Sequence, residues 1–366
     1  MSGELLVVEA SGSPRERGRA HGEEAREPVH TVIGRWHDDI ALDIGRGVDG
    51  YLDAFLAATD FATAVRRWTP DLLDEVGGIA EGAGLSESVC MAWQLLDEEW
   101  WYRERHLGHG SAAERCSSAG GSRGGTGTVI AQNMDIEAFH DGSQVLLRSR
   151  PEGNTPDSLV LTTAGMIGLT GLNSSGVGVC VNTLAQLAPS PSGLPVAFVI
   201  RGLLACRSLA AASEFLEAVV HASGQNYLVG APEGLLDREC SARQIRSVEP
   251  AAHRIVHTNH PLANDDVATD RPEVRAATQR TQRPPSTTRE RYDVLAAGVV
   301  GREDPLTVAR LQEILSDRSA PVSVVPSGEG DFMTFASVIM ELAEDPVLHL
   351  APGPPDRTEY EAHTFA

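Results

Sequence analysis

The hydrophobic pattern of this 366-residue chain turns from mainly helical to mainly strand-like at a cysteine. Ahead of Cys116 apolar residues recur at intervals of three and four, as in Tyr51-Leu52-Asp53-Ala54-Phe55-Leu56 and across residues 72–85, the spacing of amphipathic helices. Beyond it, short apolar or alternating runs bounded by Gly, Asn and Pro read as strands. Residues 144–148 and 158–163 flank a Pro151-Glu152-Gly153-Asn154 turn and predict a hairpin, and residues 168–172 and 177–182 predict a second. Two helices follow, over 197–205 and 209–222, the latter capped by Ser208. Strands return at 226–230 and 242–248, then a helix at 308–315 and strands at 334–340 and 347–351. Helices set between hairpins predict an α+β fold in which helices cover the outer face of a sheet.

The helical part opens with a strand over 5–8 and a helix from Arg15 that carries Gly18 and Gly22. Glycines four apart share one helix face and permit close approach of another backbone. Ser86 is placed to cap a helix bearing Trp93, Leu95, Leu96, Trp100 and Trp101, an aromatic stripe that reads as core. Residues 264–285 are polar and without periodicity, a long loop inside one composite domain and not a linker.

Charge narrows the function. The 51 acidic residues outnumber the 30 basic ones for a net charge of -21, which disfavours nucleic acid and anionic membranes as partners and favours a neutral or amphipathic small molecule. Five cysteines without paired spacing read as reduced thiols. The N-terminus has no basic segment followed by a long apolar one, and no run of about 18 apolar residues occurs, so a cytoplasmic location is expected.

A cysteine at such a seam can be an ordinary buried hydrophobe. Cys116 differs in having charged or small polar neighbours, Glu114, Arg115, Ser117 and Ser118, and a polar loop feeding a strand is expected to expose its thiol. The chain has no lysine, since all 30 basic residues are arginine, and arginine does not deprotonate in proteins. The amine able to titrate near neutrality is an α-amine, with an ordinary pKa of about 7.7 to 8. Cutting the Arg115-Cys116 bond would place that amine beside the thiol, giving nucleophile and base within one residue.

Cys116-Ser117-Ser118, with Asn133-Met134-Asp135 downstream, resembles the N-terminal-nucleophile hydrolases, in particular the acyl-coenzyme A:isopenicillin N acyltransferase family, and more distantly bile salt hydrolases and penicillin V acylases. The resemblance runs over nearly the whole chain and is weakest from 264 to 285. It implies a four-layer αββα sandwich of the Ntn-hydrolase type. It also implies self-cleavage before Cys116, so that residues 1–115 become a helical small subunit and 116–366 a large one. Asp135 would orient the freed amine. Asn182 in Val181-Asn182-Thr183 and Asn259 in His257-Thr258-Asn259-His260-Pro261 would donate to the oxyanion, a role neutral amides suit because they add no charge to desolvate. An arginine of Thr288-Arg289-Glu290-Arg291-Tyr292 would complete the site, Arg291 in one register and Arg289 in the other.

His257 and His260 lack a third ligand at a recognisable spacing, so no metal is expected, and no cofactor motif is present. The reading is an N-acyltransferase or linear-amide hydrolase of specialised metabolism. It takes an acyl group from a small-molecule donor, acyl-coenzyme A or a carrier-bound acyl group included, and passes it to an amine or to water. Two other readings stand beside it. The family commonly has glycine before the nucleophile and this chain has Arg115, which is compatible with a processing-deficient protein that binds an acyl compound or a partner. An uncleaved cysteine hydrolase would use His257 or His260 as base.

Overall fold

The computed structural model describes residues 5–107, 116–122, 127–268, 287–302, 304–326 and 332–365. The first part holds β1 (Leu6–Gly12), α1 (Pro14–Glu24), α2 (Arg26–Ile44), α3 (Val48–Ala57), α4 (Phe61–Trp68), α5 (Pro70–Ala83), α6 (Glu87–Trp93) and α7 (Leu96–Leu107). After Cys116 come β2 (Ser117–Ser122), β3 (Thr128–Glu137), β4 (Gln144–Pro151), β5 (Ser158–Thr163), β6 (Thr170–Asn173) and β7 (Gly178–Thr183). Helices α8 (Val196–Leu204) and α9 (Leu209–Ala218) precede β8 (Gln225–Ala231), β9 (Gly234–Cys240), β10 (Ile245–Ser247) and β11 (Arg254–His257). The chain then forms α10 (Thr288–Val299), α11 (Val308–Leu315), β12 (Phe332–Leu342), β13 (Val347–Ala351) and β14 (Glu361–Thr364).

The strands make two sheets. One has eight strands in the order β1-β4-β5-β6-β7-β8-β9-β10, and the other six in the order β11-β2-β3-β12-β13-β14. They face each other through β2 and β3 on one side and β7 to β9 on the other. Glycines allow that approach: a Cβ on Gly178 would lie 2.9 Å from a Leu342 methyl, and one on Gly230 would lie 2.5 Å from the other. Helices α8 and α9 cover the outer face of the larger sheet and α10 and α11 that of the smaller. The result is the expected αββα sandwich. A main core runs from the helical segment through both sheets, and a second fills the layer between the smaller sheet and α10 and α11.

The N-terminal helices lock on through the α1 glycines read from the sequence and through glycines of α5 that face them. A Cβ on Gly18 would lie 1.9 Å from the Glu75 carbonyl oxygen, and one on Gly78 would lie 2.2 Å from that of Arg15. Helices α1 and α5 therefore touch backbone to backbone. Glu75 sits at this crossing, buried, and pairs with Arg17 of α1 at 2.9 Å and Arg201 of α8 at 2.5 Å. Burial alone would raise its carboxyl, but Arg201 and Arg17 together hold it below the ordinary carboxylate range. The same residue thus joins two N-terminal helices to the outer layer of the sandwich.

Some elements differ from expectation. The tryptophan stripe is two helices, because Gln94 turns its amide aside to donate to Gly165 O and accept from Ile167 N, and the chain restarts at Leu96. The strand expected over 242–248 shrinks to β10, since Ser241 and Gln244 close a turn on each other. The helix expected to reach residue 222 ends at Ala218. Strand β9, which pairs with β8 along its whole length, was not anticipated. Of the loop read over 264–285, residues 269–285 lie outside the described residues.

Candidate active site

Cys116 stands immediately before β2, a strand held between β11 and β3 with Ser117 opposite Asn133 and Ser118 opposite His257. Its Sγ lies 3.8 Å from the Met134 sulfur and 3.8 Å from the Asp135 carbonyl oxygen. The thiol is only 6% exposed, against the expectation of an exposed one. The polar neighbours that prompted that expectation are themselves internal: the Ser117 hydroxyl meets Arg291 at 3.0 Å, and the Ser118 hydroxyl donates to Asn182 Oδ1 at 2.6 Å. Burial pushes the thiol up to about 12, and the charge of Asp135 pushes the same way. In the unbroken chain Cys116 is therefore a protonated thiol that needs a base.

Arg291 is fully buried in the first turns of α10. Its guanidinium donates to the Cys116 carbonyl at 2.6 Å, to Asn259 Oδ1 at 3.0 Å and to the Thr287 hydroxyl at 3.2 Å. Arg289 is exposed. Two residues are about 200° apart around a helix, so the two arginines of the motif face opposite ways and Arg291 is the one turned to the cysteine. With Asn259 Oδ1 taken by the guanidinium, Nδ2 donates one hydrogen to Thr183 O at 3.1 Å and keeps a second. The Asn259 backbone N–H donates to the Thr288 hydroxyl at 2.9 Å, a contact no sequence signal announced.

Asp135 is buried and lines a cavity with Cys116. Asn182 is placed differently: its strand neighbours Val181 and Thr183 line that cavity and it does not, because alternate side chains of a strand leave by opposite faces. Its Nδ2 is buried without a partner among the described residues. The two histidines are occupied elsewhere. His257 donates Nδ1–H to Thr258 O at 2.7 Å and Nε2–H to Glu239 Oε1 at 2.9 Å. Burial would lower it, but Glu239 and Asp237 raise it, so the ring is an imidazolium with no lone pair for a thiol proton. His260 turns Nδ1 to the hydroxyls of Thr288 and Thr258 and is held down to about 4 by burial and Arg289. Neither ring is in contact with the Cys116 sulfur.

Two residues that the sequence did not single out hold this geometry. Gln132 of β3 bonds both the N–H and the C=O of Val181 with its side-chain amide, pinning β7 beside the cysteine. The Glu239 carboxylate accepts from His257 and from the backbone N–H groups of Leu262, Ala263 and Asn264, so it shapes the turn that follows Asn259. Asn133 faces the opposite way, donating to Leu315 O and Val322 O on the α11 side. The Arg115 side of the junction lies outside the described residues.

The cavity at Cys116 encloses about 870 Å³, open solvent at its mouth included. It lies where the end of β3 meets α2, α7, β7 and α8. Trp100 belongs to its wall and not to the core, whereas Trp93 is buried and packs at a tilt against Trp36. Among the described residues no cluster suited to a metal occurs, and no helix is long and apolar enough to cross a membrane.

An αββα sandwich with a cysteine opening a central strand, backed by a buried arginine and an asparagine amide, is the arrangement of an N-terminal-nucleophile hydrolase. Residues 122–347 match the family model described as acyl-coenzyme A:6-aminopenicillanic acid acyl-transferase, and the chain belongs to that family. The matched span contains Asp135, Asn182, Asn259 and Arg291 and begins just after Cys116. The chain is 29% identical over 271 residues to the acyl-coenzyme A:6-aminopenicillanic-acid-acyltransferase 40 kDa form of Emericella nidulans, covering 71% of this chain and 70% of that one. Among solved structures, a mutant of conjugated bile acid hydrolase from Clostridium perfringens matches with a TM-score of 0.45 at 14% identity, over 68% of this chain and 96% of that one. Penicillin V acylase from Agrobacterium tumefaciens matches with a TM-score of 0.39 at 13% identity, over 65% and 83%.

Proposed function

We propose that this chain cuts itself between Arg115 and Cys116 and then works as an acyltransferase or amidohydrolase through an acyl-thioester on Cys116. The observation that carries the reading is the pairing of a buried thiol, silent at neutral pH, with a set of contacts that fix its backbone and leave its amino side as the place for a base. In self-cleavage the thiol attacks the Arg115 carbonyl, the peptide C–N bond breaks, and water hydrolyses the resulting thioester. The products are a carboxylate on Arg115 and a free amine on Cys116.

In turnover that amine takes the thiol proton while Sγ attacks the acyl carbonyl. The second Nδ2 hydrogen of Asn259 is the donor assigned to the oxyanion; Arg291 on Oδ1 and Thr183 O on Nδ2 already fix the amide, so little reorganisation is needed as charge develops. Asp135 steadies the α-ammonium, and Asn182 holds the nucleophile's strand by accepting from the Ser118 hydroxyl through Oδ1. Collapse expels the leaving amine or thiol, which carries off the proton from the Cys116 ammonium. An amine or water then takes the acyl group and restores the thiol. Coenzyme A thioesters and carrier-bound acyl groups are the donors to try first, and specialised metabolism is the setting the family label favours.

The test is the intact mass of the purified protein under denaturing conditions, followed by incubation with a simple acyl thioester. Two chains, the larger beginning at Cys116 and gaining one acyl group there, are expected; Cys116→Ala stays whole and gains none. A wild-type chain that stays whole and accepts no acyl group overturns the proposal and leaves a binding protein in its place.

A further inference from the structure

The cavity beside Cys116 is unusual in its charge. Five carboxylates line it, those of Asp39, Asp97, Glu99, Asp135 and Glu137, against one permanent cation among the described lining residues, Arg103. That cation is already committed. It pairs with Glu99 at 2.8 Å, with Asp39 at 2.9 Å and with Asp43 at 3.2 Å. The remaining basic ring, His140, is buried, bonded to the Thr163 hydroxyl, and held neutral with its pKa down at about 3.

Two of the carboxylates are bonded to no cation among the described residues. Asp97, in the first turn of α7, accepts only neutral donors, Thr183 Oγ1 at 2.9 Å and Gln225 Nε2 at 2.6 Å. Glu137, the last residue of β3, has no hydrogen-bond or ion-pair partner among the described residues beyond its own backbone. Burial raises both above the ordinary carboxylate range, Glu137 to about 7, which is the condition of acids that a bound cation would stabilise in their charged form. Apolar side chains, among them Trp100, Met166, Leu169 and Ile200, supply the rest of the wall and suit an acyl chain.

We propose that the amine half of the substrate is cationic: beyond the reacting nitrogen it carries a second, positively charged group held between Asp97 and Glu137, and it carries no anion. The inference rests on the reading of Cys116 as the acyl-accepting nucleophile and sharpens it. An acceptor with a carboxylate, such as the acid that names the family, would meet a wall of five acidic side chains and no uncommitted cation among the described residues. A diamine or other polyamine, acylated on one nitrogen, fits both the apolar and the acidic parts of the wall.

The experiment compares three amides that share a hexanoyl group and a four-carbon amine skeleton. These are N-hexanoyl-1,4-diaminobutane, N-hexanoylbutylamine and N-hexanoyl-4-aminobutanoate, a cation, a neutral and an anion at pH 7. Release of hexanoate by the processed enzyme gives kcat/KM for each. The cation should exceed the neutral compound by about tenfold, the scale of one partly desolvated ion pair, and the anion should be the poorest. Glu137→Gln and, separately, Asp97→Asn should each shrink the ratio of cation to neutral, with thermal unfolding confirming that the variants fold. A wild-type preference for the anion, or a ratio that neither variant changes, overturns the inference. Acylation of Cys116 by the hexanoyl thioester of N-acetylcysteamine separates the two levels. If Cys116 is acylated and the anion is preferred, only the cationic specificity falls; if it is not acylated and no amide is cleaved, the functional reading falls and takes the specificity with it.

Discussion

Replacing Glu239 by glutamine should cost more stability than its distance from the cysteine implies. The carboxylate is fully buried and accepts from four donors: the His257 ring at 2.9 Å and the backbone N–H groups of Leu262, Ala263 and Asn264. Glutamine offers one acceptor oxygen, and its amide would turn hydrogens toward donors. At least two of the four are then left unsatisfied, at about 1 to 3 kcal/mol each, and the buried His257 imidazolium loses its counter-charge, a change worth about 3 to 5 kcal/mol when one partner is removed. These costs overlap, so the expected loss is about 3 to 5 kcal/mol and not their sum. Urea unfolding at pH 6 measures it. The turn that loosens is the one following Asn259, so kcat should fall with little change in KM. A Glu239→Gln protein within about 1 kcal/mol of wild type, with unchanged kcat, would refute the argument.

The same pair predicts a pH dependence. His257 is raised in the fold, so its contribution is complete below its ordinary value of about 6.5 and is lost as pH climbs through the folded value; Glu239 is lowered, so its contribution is lost only as pH falls below the ordinary carboxylate range. The stability gap between wild type and Glu239→Gln should therefore narrow between pH 6 and pH 9, and a constant gap would contradict the pairing; taking the difference cancels Glu98 and Glu137, which titrate in both proteins, and measuring it in an Asp237→Asn background removes the carboxylate that His257 and Glu239 themselves shift. Arg291→Ala should abolish acylation of Cys116 and Arg289→Ala should leave it within about twofold, since one guanidinium touches the Cys116 carbonyl and the other is exposed; equal losses would mean that the register is wrong. Gly78→Ala would set a methyl 2.2 Å from a backbone oxygen of α1, and because neither backbone can yield cheaply, a loss of about 3 kcal/mol or failure to accumulate is expected in a urea or expression assay.

Much of the scaffold was legible because its signals are local. The hairpin of β4 and β5, the Ser86 and Ser208 caps and the Gly18 and Gly22 face of α1 each announce themselves within a few residues. The stacking of two sheets was not, and came from the resemblance of Cys116 and Asn133-Met134-Asp135 to a known family. What stayed hidden is long-range. The stripe around Trp100 and Trp101 reads as core, yet it is Glu98 and Glu99 that are buried while Asp97 and Trp100 face the cavity, because the partners of these acids lie on α3, β7, α8 and β8. Glu239 could not be read at all: a charged residue in Gly234–Cys240 argues against a buried strand until His257 arrives to pair with it. Arg291 and Arg289 were indistinguishable as letters and are separated by helical phase alone.

Strand β1 lies at one edge of the larger sheet and pairs in parallel with β4, seven residues in register from Leu6 opposite Val145 to Gly12 opposite Pro151. A chain severed before Cys116 would thus keep its first piece as a woven part of the other, with α1 through α7 interlocked behind it. Severing would alter molecularity before it altered shape. Refolding of the uncut chain is first order, whereas two separated pieces must find each other, so recovery from denaturant would depend on concentration and slow on dilution. Maturation in such a protein is a one-way door: the mature form can lie in a basin that its own fragments reach poorly, and its persistence is then governed by how rarely it opens and not by how readily it reforms.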